Sequence, residues 1–229
     1  MPDKVVVLSG SGLSAESGLP TFRDAAGLWR QYSWRDLASP EGWRSQPQLV
    51  LEFYNERRAR AWQARPNAAH RAIAALEKDF DVVVVTQNVD NLHERAGSTH
   101  VLHLHGELCF ARGTGPGRRR HRIDGAPIQL GQTCAEGTQL RPDIVWFGEE
   151  TQHMDAAREH VESADKVLVV GTSLSVYPAA SLVEYARPQA EKVLNSIEMD
   201  SVPAGFEFLP GPATQIVPRI IARWSGSPV

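Results

Sequence analysis

The sequence predicts an α/β fold built on a mainly parallel sheet with helices on both faces, and three observations carry that prediction. Five short apolar runs, Lys4 to Leu8, Val82 to Val85, Val101-Leu102, Lys166 to Val170 and Lys192 to Leu194, read as buried strands. The segments between them carry helix signals, which argues for right-handed crossovers and parallel neighbours. Each run then stops in small or polar residues: Gly10/Ser11, Gln87/Asn88, His103/His105, Gly171/Thr172 and Asn195. The carboxyl ends of such strands form the crevice where ligands bind. Hydroxyls and amides gathered there suit ribose and nucleobase hydrogen bonds, so a nucleotide-binding enzyme is the class expected.

The chain has 229 residues, which fits one domain or a main domain with a small insertion. A formal net charge of −3 gives no general electrostatic reason to expect nucleic acid as a partner. No apolar run approaches the roughly 20 residues that span a bilayer, and Met1-Pro2-Asp3-Lys4 enters a strand at once, with no signal-peptide pattern. Two cysteines, Cys109 and Cys134, are too few for a disulfide framework. A cytoplasmic, monomeric protein without a membrane partner is expected.

The first strand ends in Ser9-Gly10-Ser11-Gly12-Leu13-Ser14-Ala15-Glu16-Ser17-Gly18. A strand, a glycine turn and a helix start suit diphosphate binding, because glycine lets backbone approach closely and helix N-terminal amides face an anion. The third small residue is Ala15, so the spacing departs from G-x-G-x-x-G, and a tight turn without a ligand is the weaker reading of this segment alone. Leu19 to Trp29 is a loop in which Phe22 and Arg23 could cover a cofactor's phosphates. Ser45-Gln46-Pro47-Gln48 has a capping-box pattern that predicts a helix start. Tyr54 and Arg57, three apart, share a face of that helix. A phenol beside a guanidinium could clamp a carboxylate, whereas Arg57, Arg58 and Arg60 together read as a solvated face.

Pro66 ends the helix and Asn67 caps the next. Residues 111–139, rich in Gly, Arg and Pro, read as an irregular insertion whose basic run Arg118-Arg119-Arg120-His121-Arg122 is expected to be solvated. Pro178 to Arg187 and Ile216 to Trp224 complete the helices.

The reactive centre is expected at Thr86 to Glu94 and His103 to Glu107. Histidine takes a proton near neutral pH, and Gly106 leaves the His105 ring room to face the crevice. No cysteine pair or H-E-x-x-H helix stands near His103 and His105 to complete a metal sphere.

Taken together, Gly10 to Arg23, Thr86-Gln87-Asn88-Val89-Asp90, His103-Leu104-His105-Gly106, Val145-Trp146-Phe147-Gly148-Glu149 and Gly171-Thr172-Ser173 resemble the sirtuins, NAD-dependent protein-lysine deacylases. The matching blocks run in order over nearly the whole chain. The resemblance implies a Rossmann-like NAD domain (1–30, 67–108 and 140–229) and a small domain built from insertions (31–66 and 109–139). It implies His105 as general base, deprotonating a ribose hydroxyl after the acyl oxygen has displaced nicotinamide, with O-acyl-ADP-ribose and free lysine as products. Asn88 and Asp90 would hold the nicotinamide and its ribose, with Gln87 on the ribose. Gly10, Ser11, Gly12, Ser14 and Arg23 would hold the diphosphate under Phe22. Gly171, Thr172, Ser173, Asn195, Ser196, Ile197 and Ala213 would line the adenosine side. Val145, Phe147 and Gly148 would pair with the acylated peptide. Tyr54 and Arg57 resemble the Tyr-x-x-Arg pair of sirtuins that accept succinyl and malonyl groups.

The chain departs from the family at the metal. Sirtuins usually carry two C-x-x-C pairs after His-Gly that close a zinc tetrahedron. Cys134 matches one ligand, Cys109 lies too near His-Gly, and neither is paired, even with His121 at hand, so a bound structural zinc is not expected. Two other readings remain open: an NAD-dependent ADP-ribosyltransferase and a non-catalytic NAD sensor. A dehydrogenase is disfavoured, because no acidic residue closes a second strand about 20 residues after the glycine turn.

Overall fold

The structure, a computed structural model, describes residues 2–21, 33–117 and 119–226. Its main sheet has six parallel strands in the order β3-β2-β1-β7-β8-β9: β1 Lys4–Ser9, β2 Asp81–Thr86, β3 Val101–His103, β7 Lys166–Val170, β8 Glu191–Ser196 and β9 Glu207–Pro210. Strand side chains alternate between faces, and here both faces are apolar. Val5, Val7, Val82, Val84, Leu168 and Val193 meet α5 (Ala68–Ala75) and α8 (Ala213–Trp224). Val6, Leu8, Val83, Val85, Val167 and Val169 meet α7 (Met154–Ser163) and a 3₁₀ helix, Ala179–Tyr185. Burial on both faces is why these strands read as unbroken valine runs.

The five expected strands are all present, and a sixth was missed. β9, Glu-Phe-Leu-Pro, is a partly exposed edge strand that ends in proline, a residue tolerated there because an edge needs no amide on its outer side. The segment after Pro178 forms a 3₁₀ helix rather than an α-helix. The expected capping box at Ser45 is wrong. Ser45 ends α3 (Pro40–Ser45) and donates its hydroxyl to Glu41 O and Gly42 O, so Gln46 caps α4 (Pro47–Gln63) without a side-chain bond. The Asn67 cap is as expected: Oδ1 accepts from the amides of Ala69 and His70, and His70 Nδ1 accepts from Asn67 N.

Residues 111–139 hold more order than their composition suggests. β4 (Gly106–Gly113) pairs antiparallel with β5 (Arg120–Arg122) and β6 (Leu140–Ile144) in a second sheet. Arg120 is no solvated cation, because it is ion-paired with Glu107 and Asp143. Helix α4 bridges the two regions. Val50, Phe53, Tyr54 and Ala61 pack on Val89, Leu108, Ile144 and Trp146, while Leu51 meets Ala111, Ile128 and Leu140. Arg58 is buried within this contact and donates to Leu108 O and Asn55 Oδ1, which corrects its assignment to a solvated arginine face. No helix among the described residues is long and apolar enough to cross a membrane.

Candidate active site

The glycines come first because they set how close two strand ends can lie. Gly10 N donates to Val170 O and Gly12 N to Gly171 O. A Cβ on Gly10 would stand 2.7 Å from Thr172 Cβ, and one on Gly12 2.9 Å from Gly171 Cα. Gly171 has φ +64°, and a Cβ there would lie 2.2 Å from Leu13 N. The turns after β1 and β7 therefore interlock backbone to backbone. The Gly12 and Leu13 amides are engaged inside this turn, Leu13 with Gly10 O, so they are not the free donors expected at the start of α1 (Ser11–Ala15).

Beside this lock stands the turn after β2. Asn88 is buried, and Nδ2 donates to Gly10 O at 3.1 Å and to Ser14 Oγ at 3.2 Å. Its own amide donates to Thr86 Oγ1. Asp90 accepts from Ser14 Oγ and Leu92 N. Burial raises the Asp90 carboxyl above its ordinary value, and those two bonds oppose the shift only in part. Gln87 Nε2 donates to Thr172 Oγ1, tying the β2 end to the β7 end. Beneath them Ser9, Thr86 and His93 form a buried chain, with Ser9 Oγ 2.8 Å from Thr86 Oγ1 and 2.9 Å from His93 Nε2.

His105 faces this turn with Nδ1 3.2 Å from Gln87 O. A carbonyl only accepts, so Nδ1 carries the proton and Nε2 keeps its lone pair. Burial holds the ring below the usual imidazole value against that hydrogen bond, which keeps it neutral near pH 7. His103 differs. Its Nε2 is 2.7 Å from Glu94, its Nδ1 2.9 Å from Asn88 O, and Glu107 lies 3.9 Å away. Burial pushes its proton affinity down, but the carboxylates more than offset this, leaving His103 raised and Glu94 lowered. This ion pair serves a structural role. Glu94, His103 and Glu107 bring ligand atoms within 4.8 Å of one another, yet Glu107 is already paired with Arg120.

A cleft of about 240 Å³ joins these parts. Its lining includes Gly10, Ser11, Gln87, Asn88, His105, Gly171, Thr172 and Ser173 on one side, and Tyr54, Arg57, Val145, Phe147 and Gly148 on the other. A smaller recess of about 100 Å³, lined by Ser11, Ser14, Arg57, Asn88 and Asp90, opens beside it. Tyr54 is buried against Trp146, and burial raises its phenol although Arg57 opposes this. The Arg57 guanidinium carbon stands 5.7 Å from the centre of the Tyr54 ring. The Val145 and Phe147 amides donate to His105 O and Ala38 O, so they are already used within the fold and are not open to a peptide strand.

Asn195, Ser196, Ile197 and Ala213 lie outside both cavities, at the carboxyl end of β8 and the start of α8. Asn195 donates to Leu209 O and Gly211 O, and its buried Oδ1 has no partner among the described residues. Phe22, Arg23 and Trp29 fall outside the described residues. The sequence reading missed Trp146 as a wall of the cleft and Glu149 as its anchor. Glu149 accepts from Arg141, Arg112 and Trp146 N. A Trp and a Glu within one short run beside Arg141 were the available signal.

The fold and this edge define an α/β protein with a single neutral histidine set over a crevice of hydroxyls, amides and glycine turns. Comparison with known proteins makes the class specific: the Sir2 family pattern matches residues 10–178, and the chain belongs to that family. It is 49% identical over 195 residues to an NAD-dependent protein deacylase of Bacteroides thetaiotaomicron, covering 83% of each chain. It is 41% identical over 239 residues to one of Caulobacter vibrioides, covering 96% of each. Among solved structures, a Sir2 homologue bound to ADP-ribose superposes with a TM-score of 0.90 at 36% identity, over 98% of this chain and 93% of that one. A Sir2 homolog–NAD complex gives 0.87 at 36% identity, over 98% and 90%.

Proposed function

We propose that this protein uses NAD to remove acyl groups from protein lysines, with acyl chains that end in a carboxylate, succinyl and malonyl, among its substrates. It is an NAD-dependent protein deacylase of the Sir2 family. The residues present suit a dinucleotide: the interlocked Gly10 and Gly171 turns bring the ends of β1 and β7 together, and the crevice there is lined by the hydroxyls of Ser11, Thr172 and Ser173 with the amides of Gln87 and Asn88 beside them. Bound NAD supplies a ribose carbon whose bond to nicotinamide can break. His105 Nε2 accepts the proton of a ribose hydroxyl. Asn88 and Asp90, fixed through Ser14, orient the nicotinamide end, and Gln87 with Thr172 orients the ribose. Residues 31–66 and 109–139 act as the substrate-side module.

The observation that carries the acyl reading is that Tyr54 and Arg57 line the same cleft as His105. Burial keeps the Tyr54 phenol protonated, so it is a donor, and Arg57 adds charge, which together match a carboxylate. Arg57→Met, compared with wild type on succinyl- and acetyl-lysine peptides by nicotinamide release, should lose about 10- to 100-fold more kcat/KM on succinyl-lysine, the range of one charge-assisted hydrogen bond. Equal loss on both substrates would sink the clamp.

A structural zinc does not fit this chain's donors. Burial pushes the Cys109 thiol up to about 12, with Glu107 adding to the shift, and Cys134 Sγ contacts Thr138 Oγ1 at 3.2 Å. Among the described residues, neither cysteine belongs to a cluster of metal-binding atoms.

A further inference from the structure

Trp146 presents an unanswered question of hydrogen bonding. Its indole Nε1 is buried, the residue is 2% exposed, and that donor has no partner among the described residues. A buried donor left without an acceptor has given up its water for nothing, so its place needs a reason. The ring cannot turn to find another partner. The Arg141 guanidinium carbon lies 3.1 Å from its centre, Trp43 packs at 5.7 Å between ring centres, and the Trp146 amide is held by Glu149 Oε2. Arg141 is in turn fixed by Glu149. Trp146 packs against Tyr54 with 6.4 Å between ring centres, both line the cleft, and the indole eases the ionisation of the Tyr54 hydroxyl although no hydrogen bond joins them in the free protein.

Resting on the acyl reading above, we propose that Trp146 is a positioning residue for acidic acyl groups: its indole N–H occupies the lone pair of the Tyr54 hydroxyl, so that the single phenolic proton is directed at the substrate carboxylate beside Arg57. A phenol has one proton to give. With its oxygen accepting from Trp146, the hydroxyl has no reason to donate elsewhere, and a chain of two hydrogen bonds strengthens each member. The bond is not made in the free protein and closes when a carboxylate draws on the far end, as hydrogen bonds in empty sites commonly tighten once the site is filled. The Arg141 cation over the indole face withdraws electron density and makes the N–H a better donor. An acetyl group ends before this pair and gains nothing from it, so the contribution of Trp146 is one of selectivity.

The test is a double-mutant cycle on the full chain, with Trp146→Phe, Tyr54→Phe and the pair, each assayed by nicotinamide release with succinyl- and acetyl-lysine peptides. Phe keeps a ring for Arg141 and removes only the N–H and the larger bicycle. The expected result is about a tenfold drop in the succinyl-to-acetyl ratio of kcat/KM for W146F, carried by KM. In the Tyr54→Phe background the same substitution should move that ratio less than twofold, because the hydroxyl it acts through is gone. A tenfold drop that persists in the Tyr54→Phe background, or an unmoved ratio for W146F while Arg57→Met still loses succinyl-lysine turnover preferentially, overturns this assignment and leaves the acyl reading standing. A wild-type protein that turns over acetyl- but not succinyl-lysine overturns both.

Discussion

Replacing His70 by Gln should make the protein resist acid better, although no catalytic atom changes. His70 is fully buried on α5, its Nε2 has no partner among the described residues, and its ring meets His93 edge-on at 5.0 Å. Burial, with Arg71 adding, lowers its folded value to about 4. The unfolded chain takes up the proton near pH 6.5, so below that pH it binds more protons than the folded chain. Stability is therefore complete above pH 6.5 and is lost as pH falls toward 4. At one pH unit per 1.36 kcal/mol, the loss from His70 alone is about 2 kcal/mol at pH 5 and about 3 kcal/mol at its limit. His93, held well below its ordinary value first by burial and then by His70, adds to it. Gln at this position can still accept from Asn67 N, the bond that His70 Nδ1 makes in the capping box, but it does not titrate. Urea unfolding of both proteins at pH 7 and pH 5 measures the difference. The wild type should lose about 2 kcal/mol more than H70Q over that interval. Parallel losses would refute the assignment of acid lability to this buried imidazole. The consequence reaches the site, because His93 holds Ser9 and, through Thr86, the amide of Asn88.

The remaining expectations follow from the crevice and the small sheet. His105→Ala should lower turnover about 10²- to 10⁴-fold, the usual contribution of a general base, while NAD still raises the melting temperature; retained turnover would remove His105 from the chemistry. Because burial holds His105 below the ordinary imidazole value, the midpoint of the acid-side decline in wild-type kcat/KM should lie below about pH 6.5, and a midpoint above it would contradict its neutral state. Gly171→Ala forces a Cβ to 2.2 Å from Leu13 N at φ +64°, so a loss of about 3 kcal/mol, or roughly 6–12 °C in Tm, is expected. Gly18→Ala, at φ +84° with open space around it, should cost only about 1 kcal/mol, and equal losses would show that the interlock is not what Gly171 provides. Metal analysis of the purified protein should find far less than one zinc per chain; one zinc per chain would overturn the reading of the cysteines.

Much of the sheet was legible because its strands are buried on both faces, which leaves an apolar run with no alternation to blur it. β9 was not, since only Phe208 and Leu209 of its four residues pack on the cores, too short an apolar run to read as a strand. The β4–β5–β6 sheet escaped for a related reason: its stability comes from ion pairs such as Arg120 with Asp143 and from packing on α4, neither of which leaves a local periodicity. Ser45 shows the converse error, a valid local capping pattern displaced because an earlier helix already used that residue.

At the crevice, the residue types and their order along the chain belong to the sequence by itself. Polar groups follow apolar runs wherever a parallel strand ends, and a helical spacing of three puts Tyr54 and Arg57 on one face. Tertiary structure alone decided which of these groups meet and in what state. That His105 is neutral while His103 is paired with Glu94, that the Gly10 and Gly171 turns leave no room for a Cβ, and that Trp146 packs on Tyr54 with its N–H unpaired among the described residues all depend on burial and on distances between segments far apart in the chain. Dielectric environment and close packing act through space, so a one-dimensional pattern carries the groups but not the fields they feel.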